Sequence, residues 1–176
     1  MNAAQMVDAD FQKLLYYLHE MGLIKHLGKR ISFINKDNRF FCNGGWLEEY
    51  TSSVVRELAV ELKTVQDTAH NAVLQRNFGS KYVKNEIDVA ALVNNKLHII
   101  ECKTNRLTQN SGTNTLYKLD SINDVVGGVR GRAALISYFP LSDSEKLRAH
   151  ELSIRVIDTA QLTNLKHHLR VWFAEA

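Results

Sequence analysis

The residues with the clearest chemical potential are Asp88, Glu101 and Lys103. They sit at the outer ends of two strongly apolar runs, Glu86 to Val93 and Lys96 to Cys102, joined by Asn94-Asn95. Asparagine tolerates positive φ, so this dipeptide predicts a two-residue hairpin turn, and such a turn fixes the register. Val93 then faces Lys96, Leu92 faces Leu97, Ala90 faces Ile99 and Asp88 faces Glu101, with Glu86 opposite Lys103 one step further out. Alternation sends Glu86, Asp88, Glu101 and Lys103 to one face of the sheet. Two carboxylates placed directly opposite have Cβ atoms about 4.5–5.5 Å apart and repel, and burial adds a desolvation cost. A divalent cation held by hard oxygen ligands offsets that cost, as does a shared proton. Lys103, two residues beyond Glu101, is placed to orient or deprotonate a water. The alternative is a surface ion-pair cluster among the same four residues. The apolar side chains on both faces (Ala90, Leu92, Leu97 and Ile99 on one; Ile87, Val89, Ala91, Ile100 and Cys102 on the other) argue for central strands and against a solvated cluster.

The elements that must position this hairpin can be read around it. Phe11, Leu14, Leu15, Leu18 and Met21 form a helical stripe that Asp8 or Asp10 can cap and Gly22 ends. Ile31 and Phe33, a turn at Asp37-Asn38, and Phe40-Phe41 predict a short hairpin, so that residues 1–42 read as a helix-plus-hairpin, winged-helix-like extension. Gly44-Gly45 opens a long amphipathic helix, Trp46 to Lys63. A strand is expected over Ala72 to Phe78, turning at Gly79-Ser80. Residues Asn105 to Asn114 are polar and predict a loop. Leu116, Leu119, Ile122 and Val126 mark a helix ended by Gly127-Gly128, and Ala133 to Tyr138 a buried strand. Ser142 to Glu145 has capping-box spacing. Ile154 to Ile157 is a last strand, after which Asp158 caps a helix bearing Leu162, Leu165, Leu169 and Trp172. The order predicts an α/β domain over 43–176, a mixed sheet flanked by helices on both faces.

Composition sets the outer limits. The chain has 176 residues, 45% hydrophobic and 23% charged, with a formal net charge of +3. This is a globular composition, and the charge is compatible with a nucleic-acid partner without demanding one. Lys81 and Lys84 form one of several local basic groupings, each of which also reads as a solvated face. Two cysteines, Cys42 and Cys102, lack metal-ligand spacing and suit a reducing cytoplasmic setting. No apolar run approaches the ~18 residues of a membrane span. His70, His98 and His150 show no ligand spacing, and adjacent His167 and His168 cannot share a helix face.

Asn85-Glu86-Ile87-Asp88 followed by Ile99-Ile100-Glu101-Cys102-Lys103-Thr104 resembles the PD-(D/E)xK, or restriction-endonuclease-like, nuclease signature. With Gly44-Gly45-Trp46-Leu47-Glu48-Glu49, Leu116-Tyr117-Lys118-Leu119-Asp120 and Gly127-Gly128-Val129-Arg130-Gly131, the pattern over about residues 40 to 158 is similar to the nuclease half of the CRISPR-accessory CARF-fused nucleases. Ile87 stands where the proline of the superfamily name would be. Relatives of that kind carry a large N-terminal sensor of cyclic oligoadenylate. Only about forty residues precede Gly44, too few for such a domain. Cyclic oligoadenylate is therefore not expected to bind this chain itself, which reads as an isolated effector module, a stand-alone relative or a fragment.

The resemblance implies phosphodiester hydrolysis, with Mg²⁺ or Mn²⁺ held by Asp88, Glu101 and the Cys102 backbone carbonyl, and with Lys103 stabilising developing charge. It also implies a further acid, and possible second metal ligand, from the helix before the hairpin. At ~100° per residue, Leu47, Tyr50, Val54, Leu58 and Leu62 share a stripe; Glu48 flanks it, while Glu49 points away. Glu48 is therefore the expected acid, its alternative being an ordinary first-turn acid favoured by the helix dipole. Lys118 is placed either to approach a bound phosphate or to remain solvated. With Arg106 and Lys84 it completes the expected nucleic-acid contacts, and the polar 105–114 loop is the expected resting place of the strand. The implied substrate is DNA, single-stranded or nicked, with RNA as a further class, and a homodimer would let two sites act on opposite strands. The rivals are a non-catalytic nucleic-acid-binding module on the same fold, and an oligomerisation domain using the N-terminal segment and Trp172-Phe173.

Overall fold

A computed structural model describes residues 8–27, 30–79 and 81–175. The chain divides into two compact units, Met1–Trp46 and Leu47–Ala176. In the first, α1 (Ala9–Glu20) is capped by the Asp8 carboxylate, which accepts from the backbone N–H groups of Asp10 and Phe11. A two-stranded antiparallel sheet follows, β1 (Ile24–Leu27) with β2 (Arg30–Phe33). The hairpin expected around Asp37-Asn38 is not formed. Asn35 instead caps a short helix, α2 (Lys36–Phe40), by accepting the Asn38 N–H at 2.7 Å, so the hairpin lies one element earlier. Here a local side-chain cap prevailed over apparent strand alternation. A π-helical turn, Phe41–Gly45, ends at Gly44 with φ 141°. That backbone angle suits glycine and interrupts the helical backbone before Trp46.

In the second unit, α3 (Trp46–Glu61) precedes a five-stranded sheet of order β3-β4-β5-β6-β7. Its strands are β3 (Val65–Phe78), β4 (Lys81–Val93), β5 (Lys96–Lys103), β6 (Arg132–Ser137) and β7 (Ile154–Asp158). The first three are antiparallel neighbours, whereas β5, β6 and β7 run parallel, giving the expected mixed sheet. Helix α4 (Gln109–Val126) crosses from β5 to β6, α5 (Asp143–Glu151) from β6 to β7, and α6 (Leu165–Ala174) closes the chain after a 3-10 turn at Thr159–Asn164. Ser142 and Glu145 make the predicted capping box, with the Ser142 N–H donating to Glu145 Oε2 at 2.8 Å.

Helices cover both faces. Ala90, Ile99 and Leu135 join Leu116, Leu119 and Ile122 of α4 in one core. On the opposite face His98 packs edge-on against Trp172 and Phe173 of α6, and the Cys102 thiol lies 3.6 Å from the Thr51 hydroxyl of α3. The 105–114 loop is shorter than expected. Thr108 caps α4, its N–H donating to the Ser111 hydroxyl at 2.8 Å, and the helix begins at Gln109. Hydroxyl and amide side chains that read as loop formers in sequence serve here as the cap and first turns of a helix. No helix among the described residues is long and apolar enough to cross a membrane.

Candidate active site

The turn that fixes everything else is Asn94-Asn95, with φ 49° and 58°, a two-residue loop of the left-handed kind. The register that follows is the one read from sequence, Val93↔Lys96 through Ala90↔Ile99 to Val89↔Ile100. There the described β4–β5 ladder stops. Asp88 does not pair with Glu101 through the backbone, nor Glu86 with Lys103. Instead β4 continues along β3, where Ile87 pairs with Ala72 and Glu86 with Val73. His70↔Val89 and Ala72↔Ile87 bracket Asn71, whose φ is 51° at the position opposite Asp88.

Asp88 fills the resulting fork. Its Oδ2 accepts the Cys102 N–H at 2.7 Å, replacing the backbone acceptor that strand pairing would have supplied. A residue's N–H and C=O leave a strand on the same side, so the Cys102 carbonyl also faces the fork. Glu101 and Lys103 project on the other registry of β5, and Lys103 Nζ donates to Glu101 Oε1 at 2.5 Å. Glu48 reaches the same place from α3. The buried face of that helix is Leu47, Thr51, Ser52, Val54, Val55 and Leu58, while Tyr50, expected in the stripe, is exposed. Small hydroxyl residues thus carry part of the helix–sheet contact, and Glu48, one turn before Thr51 and Ser52, is half-buried above the fork. Glu49 is exposed, with an oxygen 3.9 Å from His70 Nδ1.

The electrostatics follow from this crowding. Asp88 and Glu101 are both buried, at 9% and 7% exposure. Burial first, then the Glu101 charge, raises the Asp88 carboxyl to about 6, against the pull of the Cys102 N–H and Lys103. Glu48 is raised to about 7, by burial first, then by Asp88 and Glu86. Glu86 itself is exposed on β4, so it joins the field of the site although sequence reasoning assigned it no role. Alternation had placed it on the face of Asp88 without giving it a part in the chemistry. For Lys103, burial opposes the charge, but Glu101 outweighs it and holds the amine above its usual range.

The donors gathered at the fork are carboxylate and carbonyl oxygens beside one amine, the set preferred by a hard dication such as Mg²⁺ or Mn²⁺. Carboxyls whose ionisation is hindered by one another fit such an ion, which would relieve both repulsion and desolvation. Among the described residues no group of three or more His, Cys, Asp or Glu side chains is placed to hold a metal ion by itself. Two of the donors are engaged within the chain, Glu101 by Lys103 and Asp88 by the Cys102 N–H.

The remaining expected contacts are dispersed. Lys118 is exposed on α4 beside a small cavity of about 90 Å³ lined by Leu74, Arg76, Asn85 and Ser121. Arg106 is exposed, its guanidinium 4.5 Å over the Phe139 ring. Lys84 is exposed on β4 with its amine 5.4 Å over the Tyr82 ring.

Residues 35–176 match the family model described as the Card1-like endonuclease domain. The chain belongs to that family. Two solved structures resemble it at both sequence and fold level. Protein VC1899 from Vibrio cholerae is 38% identical, with a TM-score of 0.91, over 99% of this chain and 45% of its own length. Can2 from Sulfobacillus thermosulfidooxidans, solved in complex with cyclic tetra-adenylate, is 34% identical, with a TM-score of 0.76, over 92% of this chain and 45% of its own. The chain thus spans less than half the length of either relative. No curated protein matches it. The Card1-like endonuclease domain here has its sheet fork, with Asp88, Glu101, Lys103 and Glu48, inside the matched region.

Proposed function

We propose that this Card1-like domain is a metal-dependent endonuclease that hydrolyses phosphodiester bonds in DNA, with RNA as a further substrate class, in CRISPR-linked or other antiviral defence in the cytoplasm. The observation that carries the reading is the convergence of Asp88, Glu101 and Glu48 with Lys103 at a fork between two central strands. Ion pairs kept only for stability favour the surface, and burying like charges together without a counter-ion is costly.

In this reading Asp88, Glu101 and the Cys102 carbonyl hold Mg²⁺ or Mn²⁺, with Glu48 as a possible further ligand. When bound, such an ion polarises the phosphate and eases loss of a proton from water. Lys103 gives up part of its contact with Glu101 to position the attacking water and to stabilise charge growing on the phosphate oxygens. Glu48, poised near neutrality, orients that water and can accept its proton. The N–H that Cys102 donates to Asp88 keeps the carboxylate aimed into the fork. Arg106, Lys84 and Lys118 meet phosphates further along the strand. Two copies of the chain pair as a homodimer so that two sites address two strands. Cyclic tetra-adenylate, which the Can2 structure contains, has no role at the fork in this reading.

The test is cleavage of labelled DNA and RNA across a panel of divalent ions, with and without chelator, for the parent and Lys103→Ala. Cleavage that requires Mg²⁺ or Mn²⁺ and is lost in the variant is expected. Salt-sensitive binding with no cleavage under any ion would replace this reading with that of a binding module.

A further inference from the structure

The sheet is open at β7, on the side of β5 that faces away from the fork. In the order β3-β4-β5-β6-β7 this strand stands last, and among the described residues no strand pairs with its outer side. Its register with β6 runs without a break from Ala133↔Ile154 to Ser137↔Asp158. Ile154-Arg155-Val156-Ile157 is rich in β-branched residues and has neither proline nor bulge, two of the devices that guard a bare edge. At about 3.3 Å per residue, the row of N–H and C=O groups it presents is roughly 16 Å long.

A groove of about 630 Å³ runs along this edge. One wall is α5, which contributes Lys146 and His150; the other is α6, which contributes Trp172, with Glu175 just beyond its end. Alternation along β7 fits the two walls. Ile154 and Val156 pack toward the core shared with α4, and Asp158 on the same side lies 3.4 Å from Lys146. Arg155 points the other way and pairs with Glu175.

Charge decides what such a groove accepts. Both of its acids are engaged, Asp158 by Lys146 and the Leu141 N–H, Glu175 by Arg155. Two donors are left over. Arg132 and His150 are exposed, and neither side chain has an ion-pair or hydrogen-bond partner among the described residues. Both lie at the amino end of β7. Arg132 precedes the Ala133↔Ile154 pair on the face of Arg155, while the His150 carbonyl accepts the Ser153 N–H at 3.0 Å from the opposite wall. A nucleic-acid strand has no row of amides to match β7, and its phosphates would meet Asp158 and Glu175. An extended peptide has that row, and acidic side chains on it would answer the two donors.

We propose that the β7 groove binds an extended acidic peptide, which adds to the sheet as a sixth strand and sets two adjacent carboxylates against Arg132 and His150. Adjacent residues of a strand point to opposite faces, as the two donors require. Trp172 and Val156 offer apolar contact to the side chains that follow. The strands β5 and β6 separate this groove from the fork, so peptide binding requires neither Asp88 nor a metal ion.

The experiment measures fluorescence anisotropy of a labelled peptide about eight residues long, built of valine and threonine with two adjacent central glutamates, in chelator at low salt. One control peptide carries glutamines for the glutamates. Two others are N-methylated at alternate amides, in offset sets. The proteins are the whole chain as parent, Arg132→Ala, His150→Ala, and Lys63→Ala as an exposed-cation control outside the groove, each checked by circular dichroism. The parent should prefer the acidic peptide to its glutamine form by at least about tenfold, and Arg132→Ala should weaken binding about tenfold, as for a lost hydrogen bond between charged groups. His150→Ala should weaken it severalfold, and Lys63→Ala should leave it unchanged. Only one methylated set, the one whose amides face β7, should abolish binding. No binding by the parent, equal binding of the glutamine peptide, or loss with both methylated sets or with neither overturns the inference. So does a loss in Lys63→Ala equal to that in Arg132→Ala. A thymidine oligonucleotide of equal charge that competes better than the unlabelled peptide would assign the groove to nucleic acid instead. A dimer that excludes the peptide, seen by sedimentation, would assign it to a second copy.

Discussion

The two halves of β4 differ in almost every respect. From Val89 to Val93 the strand lies between β3 and β5, buried but for Leu92 and apolar throughout. From Lys81 to Glu86 it has one neighbour, carries two lysines, a tyrosine and a glutamate, and is exposed except at Asn85. Asp88 sits next to the point of change. The contrast teaches that the chemistry was not placed on an element but at the place where one stops pairing. Continuous pairing would have left the Cys102 N–H and carbonyl bonded to backbone and Asp88 on a closed sheet. The fork frees those groups and admits charge to the edge of the core.

The largest effect expected from breaking this boundary is chemical. Asp88→Ala and Lys103→Ala should each reduce Mn²⁺-dependent cleavage by about a thousandfold or more, since each removes a charge aimed at the reacting phosphate. Quantitative nicking assays with a circular-dichroism check would show this. A fall in stability in place of a fall in rate would assign both residues to the fold.

The contrast in packing can be sharpened next. Ile99→Ala, beside the buried half and fully enclosed, should cost about 2–5 kcal/mol in a urea titration, through lost burial and the cavity left behind. Val83→Ala, on the exposed half, should cost no more than about 0.5 kcal/mol. Similar values for the two would mean that the outer half of β4 is packed in solution.

Much of this was legible in the sequence because the hairpin is governed locally. Asn94-Asn95 could turn in one favoured way, and the turn dictated the register as far as Val89↔Ile100. The capping box at Ser142 was readable for the same reason. The fork itself was not legible. It lies where the β4–β5 pairing ends, after Val89↔Ile100, and the alternation of both strands runs on past that point without a local marker. The buried face of α3 was misread at Tyr50 because Thr51 and Ser52 pack as core while looking polar. Glu48 was still preferred over Glu49, since the flank of the assumed stripe lies within the true one. At Asn35 and Thr108 a single hydrogen-bonded cap decided between helix and its alternatives, and Asn35 also resembles a turn former.

A smaller effect separates the two neighbours on α3. Glu48→Ala should lower the cleavage rate about ten- to a hundredfold, in the range of a lost general base or water-orienting group, and flatten the pH–rate profile near 7. Glu49→Ala should stay within twofold. Equal rates in the two variants would remove Glu48 from the site.

The smallest concerns stability against pH in chelator. Asp88 and Glu48 are raised to about 6 and about 7, so the folded chain holds protons that the unfolded chain releases at lower pH. A raised acid contributes stability that is complete below its unfolded value and is lost as pH rises through the folded one. The parent should therefore weaken between about pH 4 and pH 7 from these two groups. Asp88→Asn, which keeps an acceptor for the Cys102 N–H, should remove part of that slope and stabilise the chain at pH 7 by on the order of 1 kcal/mol.

The most direct test of the central claim, that the fork gathers like charges for a divalent ion, is the thermal midpoint at pH 7.5 with Mn²⁺ titrated in. The parent should gain stability with increasing ion, by about 2.7 kcal/mol at a hundred times the dissociation constant. Asp88→Asn should begin more stable and gain little. An equal gain in parent and variant, or none in the parent, would contradict the account.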